Sequence, residues 1–174
     1  IFERAWSYFC LTMGIRVVIN RDPKTIAATV KEVRPTLLCN VPRFWEKVYA
    51  GVQDFIAKQK GVKAALIKQG IKVGGKYYLQ YKSQGRNIPL WLNLEYKLFD
   101  KLVLSKIRQT VGVDRGVLFP VAGAPLGDAI NEFLLSCGMP ITYGYGLSET
   151  TATVSCFLPN DYKIGTVGTV MPEI

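Results

Sequence analysis

The sequence predicts an α/β fold: a largely parallel sheet flanked by helices. Three observations lead there. Segments with apolar residues at helical spacing alternate with short β-branched or apolar runs. The 174 residues are enough for one domain with a real core. Two Gly-rich loops each follow a predicted strand, as at the carboxyl edge of a parallel sheet.

Each element has a local reason. Phe2, Trp6, Phe9, Cys10 and Met13 recur at helical spacing and predict an amphipathic first helix that Gly14 ends. The β-branched run Arg16-Val17-Val18-Ile19 predicts a strand. Asp22-Pro23 starts a helix that continues from Thr25 to Val33, with the acid as N-cap and Pro in the first turn. Thr36 to Cys39 is a second short strand, and Pro42 opens a long helix to about Lys58. Val62 to Tyr81 is helical despite Gly70 and the Gly74-Gly75 pair. Asn87 and Pro89 break the chain before a helix from Leu90 to about Ile107. Gly116 to Val121 is a buried strand. Leu126, Ile130, Phe133, Leu134 and Cys137 share one face of the next helix, which Gly138-Met139-Pro140 ends. Ile141-Thr142-Tyr143 and Thr153 to Phe157 complete the strands.

Composition excludes several function classes. With 49% hydrophobic and 20% charged residues the chain is not a disordered segment. No apolar run approaches the roughly 18 residues of a membrane span. The opening Ile1-Phe2-Glu3-Arg4 is not a signal peptide, and with Met171-Pro172-Glu173-Ile174 at the other end both termini read as cuts through a larger protein. The four cysteines, Cys10, Cys39, Cys137 and Cys156, are scattered and there is no His, which argues against a zinc site or a His-based triad. Buried thiols of this kind suggest a reducing cytoplasm.

The net charge of +9 is concentrated. Between Asp54 and Glu95 there is no acid, while Lys58, Lys60, Lys63, Lys68, Lys72, Lys76, Lys82 and Arg86 all fall there. A solvated helix face explains such a stretch. It could also attract an anionic lipid surface, making the protein peripheral to a membrane. Contact with nucleic acid is not expected, because no nucleic-acid-binding motif accompanies the charge. Gly70 to Lys76 matches most of a phosphate-binding loop, but Tyr77 stands where Ser or Thr should meet a metal and no strand precedes it. A basic surface helix is the better reading.

Chemistry gathers in the two Gly-rich loops. The first is Gly123-Ala124-Pro125; the second is Tyr143-Gly144-Tyr145-Gly146-Leu147-Ser148-Glu149-Thr150. If their strands are parallel neighbours, both loops emerge at the edge where open α/β sheets bind ligands. The glycines let backbone approach a ligand, and Tyr145 between two of them offers a face for a flat base. Ser148 could donate to a phosphate oxygen, and Glu149 is a carboxylate suited to Mg²⁺. A tight turn followed by a helix cap fits the same residues equally well.

Tyr145-Gly146-Leu147-Ser148-Glu149-Thr150-Thr151 resembles the signature of the adenylate-forming (AMP-binding) superfamily, which includes acyl-CoA synthetases, peptide-synthetase adenylation domains and luciferases. Val121 to Leu126 resembles its adenine-side loop, and Ile164-Gly165-Thr166-Val167-Gly168 the segment after the signature. Arg34-Pro35-Thr36 and Val41 to Val48 resemble a stretch of long-chain fatty acid–CoA ligases. The resemblance implies activation of a fatty acid by ATP to an acyl-adenylate, then transfer to CoA. It implies that Gly123, Ala124 and Pro125 border the adenine, that Tyr143, Gly144 and Gly146 line the nucleotide pocket with Thr150 nearby, and that Tyr145 stacks on the base. Ser148 would contact the α-phosphate and Glu149 would bind Mg²⁺, the two residues of catalytic role. Residues 1–174 would then be the central portion of the adenylation domain. The phosphate loop upstream and the C-terminal domain with its catalytic Lys would lie outside it, leaving this piece inactive alone. A ligase for another carboxylic acid, an adenylation domain, and a non-catalytic nucleotide-binding module remain open. Trp45, Phe2, Trp6 and Phe9 could line an acyl tunnel, though core packing is the commoner fate of such residues.

Overall fold

Parallel pairing forms the centre of the fold, and the computed structural model describes residues 2–151, 153–157 and 161–172 around it. Ile1, where the predicted amphipathic pattern opens, and the closing residues 173–174 lie outside the described residues. Strand β1 (Phe119–Val121) pairs in parallel with β2 (Ile141–Tyr145), Phe119 opposite Ile141 and Val121 opposite Tyr143. On its other side β1 meets the 36–40 segment through parallel bridges, Leu37 to Leu118 and Asn40 to Val121. The backbone N–H groups of Leu38 and Asn40 donate to the carbonyls of Leu118 and Pro120 at 3.3 and 3.0 Å. Beyond β2 the sheet turns antiparallel through β3 (Ser155–Cys156) and β4 (Thr169–Val170), in the order β1-β2-β3-β4. The class is α/β as the alternating pattern predicts. Its parallel part is the buried part, with Phe119, Val121 and Ile141 in the core.

The helices follow their local signals closely. Helix α1 covers Phe2–Thr12, and Gly14 follows at φ 65°. The Asp22 carboxylate caps a 3₁₀ turn, Pro23–Thr25, by accepting from the Lys24 N–H at 2.9 Å; α2 (Ile26–Val33) continues from it. Helix α3 (Pro42–Ala57) starts on Pro42. Helix α4 (Gly61–Gly75) continues as a π turn, Lys76–Tyr81, and α5 (Leu90–Phe99) passes through a second, Asp100–Leu104, into α6 (Ser105–Val111). Helix α7 (Asp128–Ser136) links β1 to β2 and packs on α3 and α4. Gly70 to Lys76 is helix throughout, with no phosphate loop in it.

Of the predicted strands, the one at Thr36 to Cys39 is reduced to isolated bridges and the one at 16–19 does not form. Residues 16–19 have no regular secondary structure, and Ile19 is 82% exposed. β-branched side chains favour extended backbone, but a strand also needs a neighbour for its N–H and C=O groups. Among the described residues no strand pairs with this segment. Trp45 and Phe119 pack in the core with ring centroids 5.3 Å apart and planes tilted by 37°, and Phe44 meets Trp45 edge-on. Trp45 is therefore a core residue, whereas Trp6 and Phe9 sit together on α1 and Phe9 remains exposed. The side chain of Phe2 lies outside the described residues.

Two contacts lock the helical layer. The first depends on Gly74, where α4 crosses the end of α7. A Cβ placed there would lie 2.0 Å from the Ser136 carbonyl oxygen. The Gly74-Gly75 pair, which weakens the helix locally, is thus what permits the crossing. Gly74→Ala forces the helices apart, and equilibrium chemical denaturation should show a loss of about 2 kcal/mol. The second contact is built on Arg108. Its Nη1 and Nη2 donate to the two carboxylate oxygens of Asp100 at 2.7 and 3.1 Å. Nη1 also donates to the Cys137 carbonyl at 3.0 Å, at the carboxyl end of α7. Burial pulls the guanidinium pKa down, but the bonded Asp100 carboxylate outweighs it and leaves Arg108 above its usual value.

Candidate active site

The parallel register places the two Gly-rich loops side by side. β1 ends at Val121 and feeds Gly123-Ala124-Pro125; β2 ends at Tyr145 and feeds Gly146-Leu147. Because Val121 lies opposite Tyr143, both loops leave the sheet at one carboxyl edge. The Tyr143 hydroxyl donates to the Ala124 carbonyl at 3.2 Å and ties them together. Burial raises the pKa of this hydroxyl, so it remains a donor at neutral pH. Gly123 has φ 90°, a left-handed conformation that turns the chain at the lip of the edge.

Between the loops lies an open cleft of about 540 Å³. Gly123, Ala124, Pro125, Tyr143, Gly144, Tyr145 and Gly146 all line it. Tyr145 is 41% exposed there, between Gly144 and Gly146. The structure therefore brings together seven of the residues named from the sequence. Ser148, Glu149 and Thr150 lie just beyond the cleft wall, in an exposed turn. The Thr150 hydroxyl closes that turn, accepting from the Leu147 N–H at 3.0 Å and donating to the Leu147 carbonyl at 3.1 Å. Thr151 follows at φ 59°. Ser148 and Glu149 thus stand on a loop whose own bonds hold it, with both side chains toward solvent.

The far wall was less legible. It comprises Asp128 and Asn131 of α7 with Tyr162 and residues 164–167. Ile164 to Val167 were noted in the sequence only as the segment after the signature. Buried Asn131 donates from Nδ2 to the Tyr162 hydroxyl at 2.6 Å, and the Tyr162 N–H donates to the Ser83 carbonyl at 2.7 Å. Burial pushes the Tyr162 hydroxyl up to about 12, so it stays neutral while it holds the wall to α7. Asp128 carries a faint sequence signal as an acid in the first turn of a helix. Asn131 and Tyr162 carry none, since the fold alone makes them neighbours.

The profile of the AMP-binding enzyme family matches residues 1–174 of the chain. The chain belongs to the AMP-binding enzyme family. Among its relatives, the long-chain-fatty-acid–CoA ligase ACSBG2 of Homo sapiens is 31% identical over 147 residues, 84% of this chain and 22% of that protein. The long-chain-fatty-acid–CoA ligase FadD15 of Mycobacterium bovis is 31% identical over 172 residues, 99% of this chain and 28% of that protein. The fadD11 protein of Mycobacterium tuberculosis, assigned by name to the fatty-acid–CoA ligases, is 32% identical over 162 residues, 92% of this chain and 28% of that protein. The chain spans about a quarter of the length of the curated relatives it matches. No solved structure matches it significantly.

The cleft is lined by glycines of both loops and by the half-exposed Tyr145, a mixed polar and apolar lining of the kind small-molecule sites have. Mg²⁺ can be tested on the donor set. Among the described residues no group of three or more His, Cys, Asp and Glu side chains is placed to cage a metal. Glu149 is a single exposed carboxylate, with no ion pair among the described residues. That suits a cation held by one carboxylate, water and phosphate oxygens, the usual habit of Mg²⁺, rather than a protein cage.

Proposed function

We propose that the protein containing this chain activates a long-chain fatty acid with ATP and passes the acyl group to CoA. The cleft between Gly123–Pro125 and Tyr143–Leu147 carries the reading, because it pairs two backbone-lined loops at a ligand-binding sheet edge in an AMP-binding family member. In the first step a carboxylate oxygen bonds to the α-phosphorus of ATP and pyrophosphate leaves. In the second the CoA sulfur bonds to the acyl carbon, the thiol proton is lost, and AMP leaves with the electron pair of the broken bond.

In this reading Gly123, Ala124 and Pro125 border the adenine, and Tyr143, Gly144 and Gly146 complete the pocket. Tyr145 stacks on the base. Ser148 donates to the α-phosphate, and Thr150 holds the loop that carries it. Glu149 holds Mg²⁺, which when bound neutralises phosphoryl charge. The chain forms the central part of the adenylation domain, and the phosphate loop and catalytic Lys come from other parts of the longer protein. A cytoplasmic enzyme of this kind meets its fatty acid at a membrane surface. The basic Lys58–Arg86 stretch supports peripheral contact there, and among the described residues no helix is long and apolar enough to cross a membrane.

Fatty-acid-dependent ATP–pyrophosphate exchange by the full-length protein tests the reading across a panel of acids. Exchange with long-chain acids is expected; exchange only with short, aromatic or amino acids, or none, overturns the substrate. In the same assay Tyr145→Ala should raise the KM for ATP about tenfold, the usual worth of one base–aromatic stack. An unchanged KM removes the stacking role.

A further inference from the structure

Among the described residues, α5 carries an apolar row that is open to solvent and takes no part in the cleft lining. Leu90, Leu94 and Leu98 recur every fourth residue along α5, and Leu102 continues the spacing through the π turn that follows. They are 81%, 68%, 57% and 43% exposed, and Trp91 beside them is 54% exposed. Leu92 of α5 and Leu104 of the π turn are buried in the core. The helix is therefore anchored by one apolar face and presents a second to solvent. Isolated exposed leucines need no explanation, but a contiguous row of them with a Trp does.

The charge around the row identifies the partner. Lys97 of α5 and Lys101 of the π turn are exposed, each three residues after a leucine of the row. Lys76 lies over the Trp91 ring, 4.5 Å from its centroid. Helix α4, which packs against α5, adds exposed Lys63, Lys68 and Lys72 and no acid. α5 itself carries the half-buried acid Glu95, and Asp100 is bound by Arg108. Leucines and a Trp rimmed by lysines match the interface of an anionic bilayer: the apolar groups enter the acyl boundary, the indole sits at headgroup level, and the ammonium groups reach the phosphates. We propose that the α5 row is the membrane-docking surface of the full-length protein and that it inserts into anionic lipid. This deepens the peripheral contact proposed above by moving its insertion point from the lysine stretch alone to α5.

Vesicle co-sedimentation of the full-length protein tests it, using phosphatidylcholine vesicles with and without phosphatidylserine. Wild-type protein should bind the anionic vesicles, and Leu94→Ser with Leu98→Ser should weaken that binding about tenfold or more. Trp91→Phe should abolish a vesicle-induced blue shift in tryptophan emission while preserving the fold. Equal binding by wild type and the Leu variant overturns the proposal. So does a shift from dimer to monomer in the Leu variant, which would assign the row to a second copy. So does loss of folding in that variant together with no Trp91-dependent emission change, which would assign it to another segment of the protein. None of these readouts depends on acyl activation, so pyrophosphate exchange with a soluble acid succeeds or fails independently.

Discussion

Replacing Glu149 with Ala is expected to lower ATP–pyrophosphate exchange of the full-length protein by about a hundred- to a thousandfold, the scale on which loss of one charge-stabilising group is felt in a transition state. The expectation rests on position. Glu149 stands on the turn directly after the cleft wall, exposed, with no cationic side chain paired to it among the described residues. A structural carboxylate would be expected to have a partner. The turn also holds itself by the Thr150 hydroxyl and backbone bonds, none of which involves the Glu149 side chain. The Ala variant should therefore keep the wild-type denaturation midpoint, separating a chemical role from a structural one. Raising the Mg²⁺ concentration should recover part of the activity if the carboxylate holds the cation. An Ala variant with unimpaired exchange contradicts the metal role; one that is inactive because it unfolds contradicts the reading of the turn.

Replacing Arg108 with Met should destabilise the protein by about 3 kcal/mol, measured by equilibrium denaturation. Met keeps much of the side-chain length and apolar contact and removes the guanidinium. Asp100 then loses both bonds to Arg108, and the Cys137 carbonyl loses its donor. The Tyr96 hydroxyl still donates to Asp100 at 3.2 Å, which limits the loss. The double variant Arg108→Met with Asp100→Leu should recover part of the stability, because it leaves no unpaired carboxylate. If the double variant is no better than the single one, the cost lies in packing rather than charge. Arg108 bonds the chain at the carboxyl end of α7, whereas the cleft is lined by Asp128 and Asn131 nearer its start, so the KM for ATP of folded Arg108→Met should be unchanged.

Much of the fold was legible because its signals are local. Asp22-Pro23 and Pro42 start helices by capping and by fixing φ, both of which act within a few residues. Gly138 at φ 75° ends the helix before β2 for a similarly local reason. Residues 16–19 were misread because a strand is not local: β-branched composition gives extended backbone, and pairing depends on what else lies near. The 36–40 segment has a similar apolar character and does find β1. Within the site, Gly123 to Pro125 and Tyr143 to Gly146 could be named in advance because glycine-flanked turns after strands have their own pattern. Asn131 and Tyr162 could not, since neither residue type nor spacing marks a bond between positions 31 apart.

The sequence by itself determined the α/β class, the helix starts and the residues of the two loops, since periodicity, capping and glycine act over a few residues at a time. The tertiary structure alone decided three things. It decided that the loops share one cleft, through the parallel register of β1 and β2. It decided that Gly74 is a crossing point, through the Ser136 carbonyl. It decided that Leu90, Leu94 and Leu98 of α5 face solvent while Leu92 faces the core. Each depends on which distant segments become neighbours, and that is set by the packing of the whole chain.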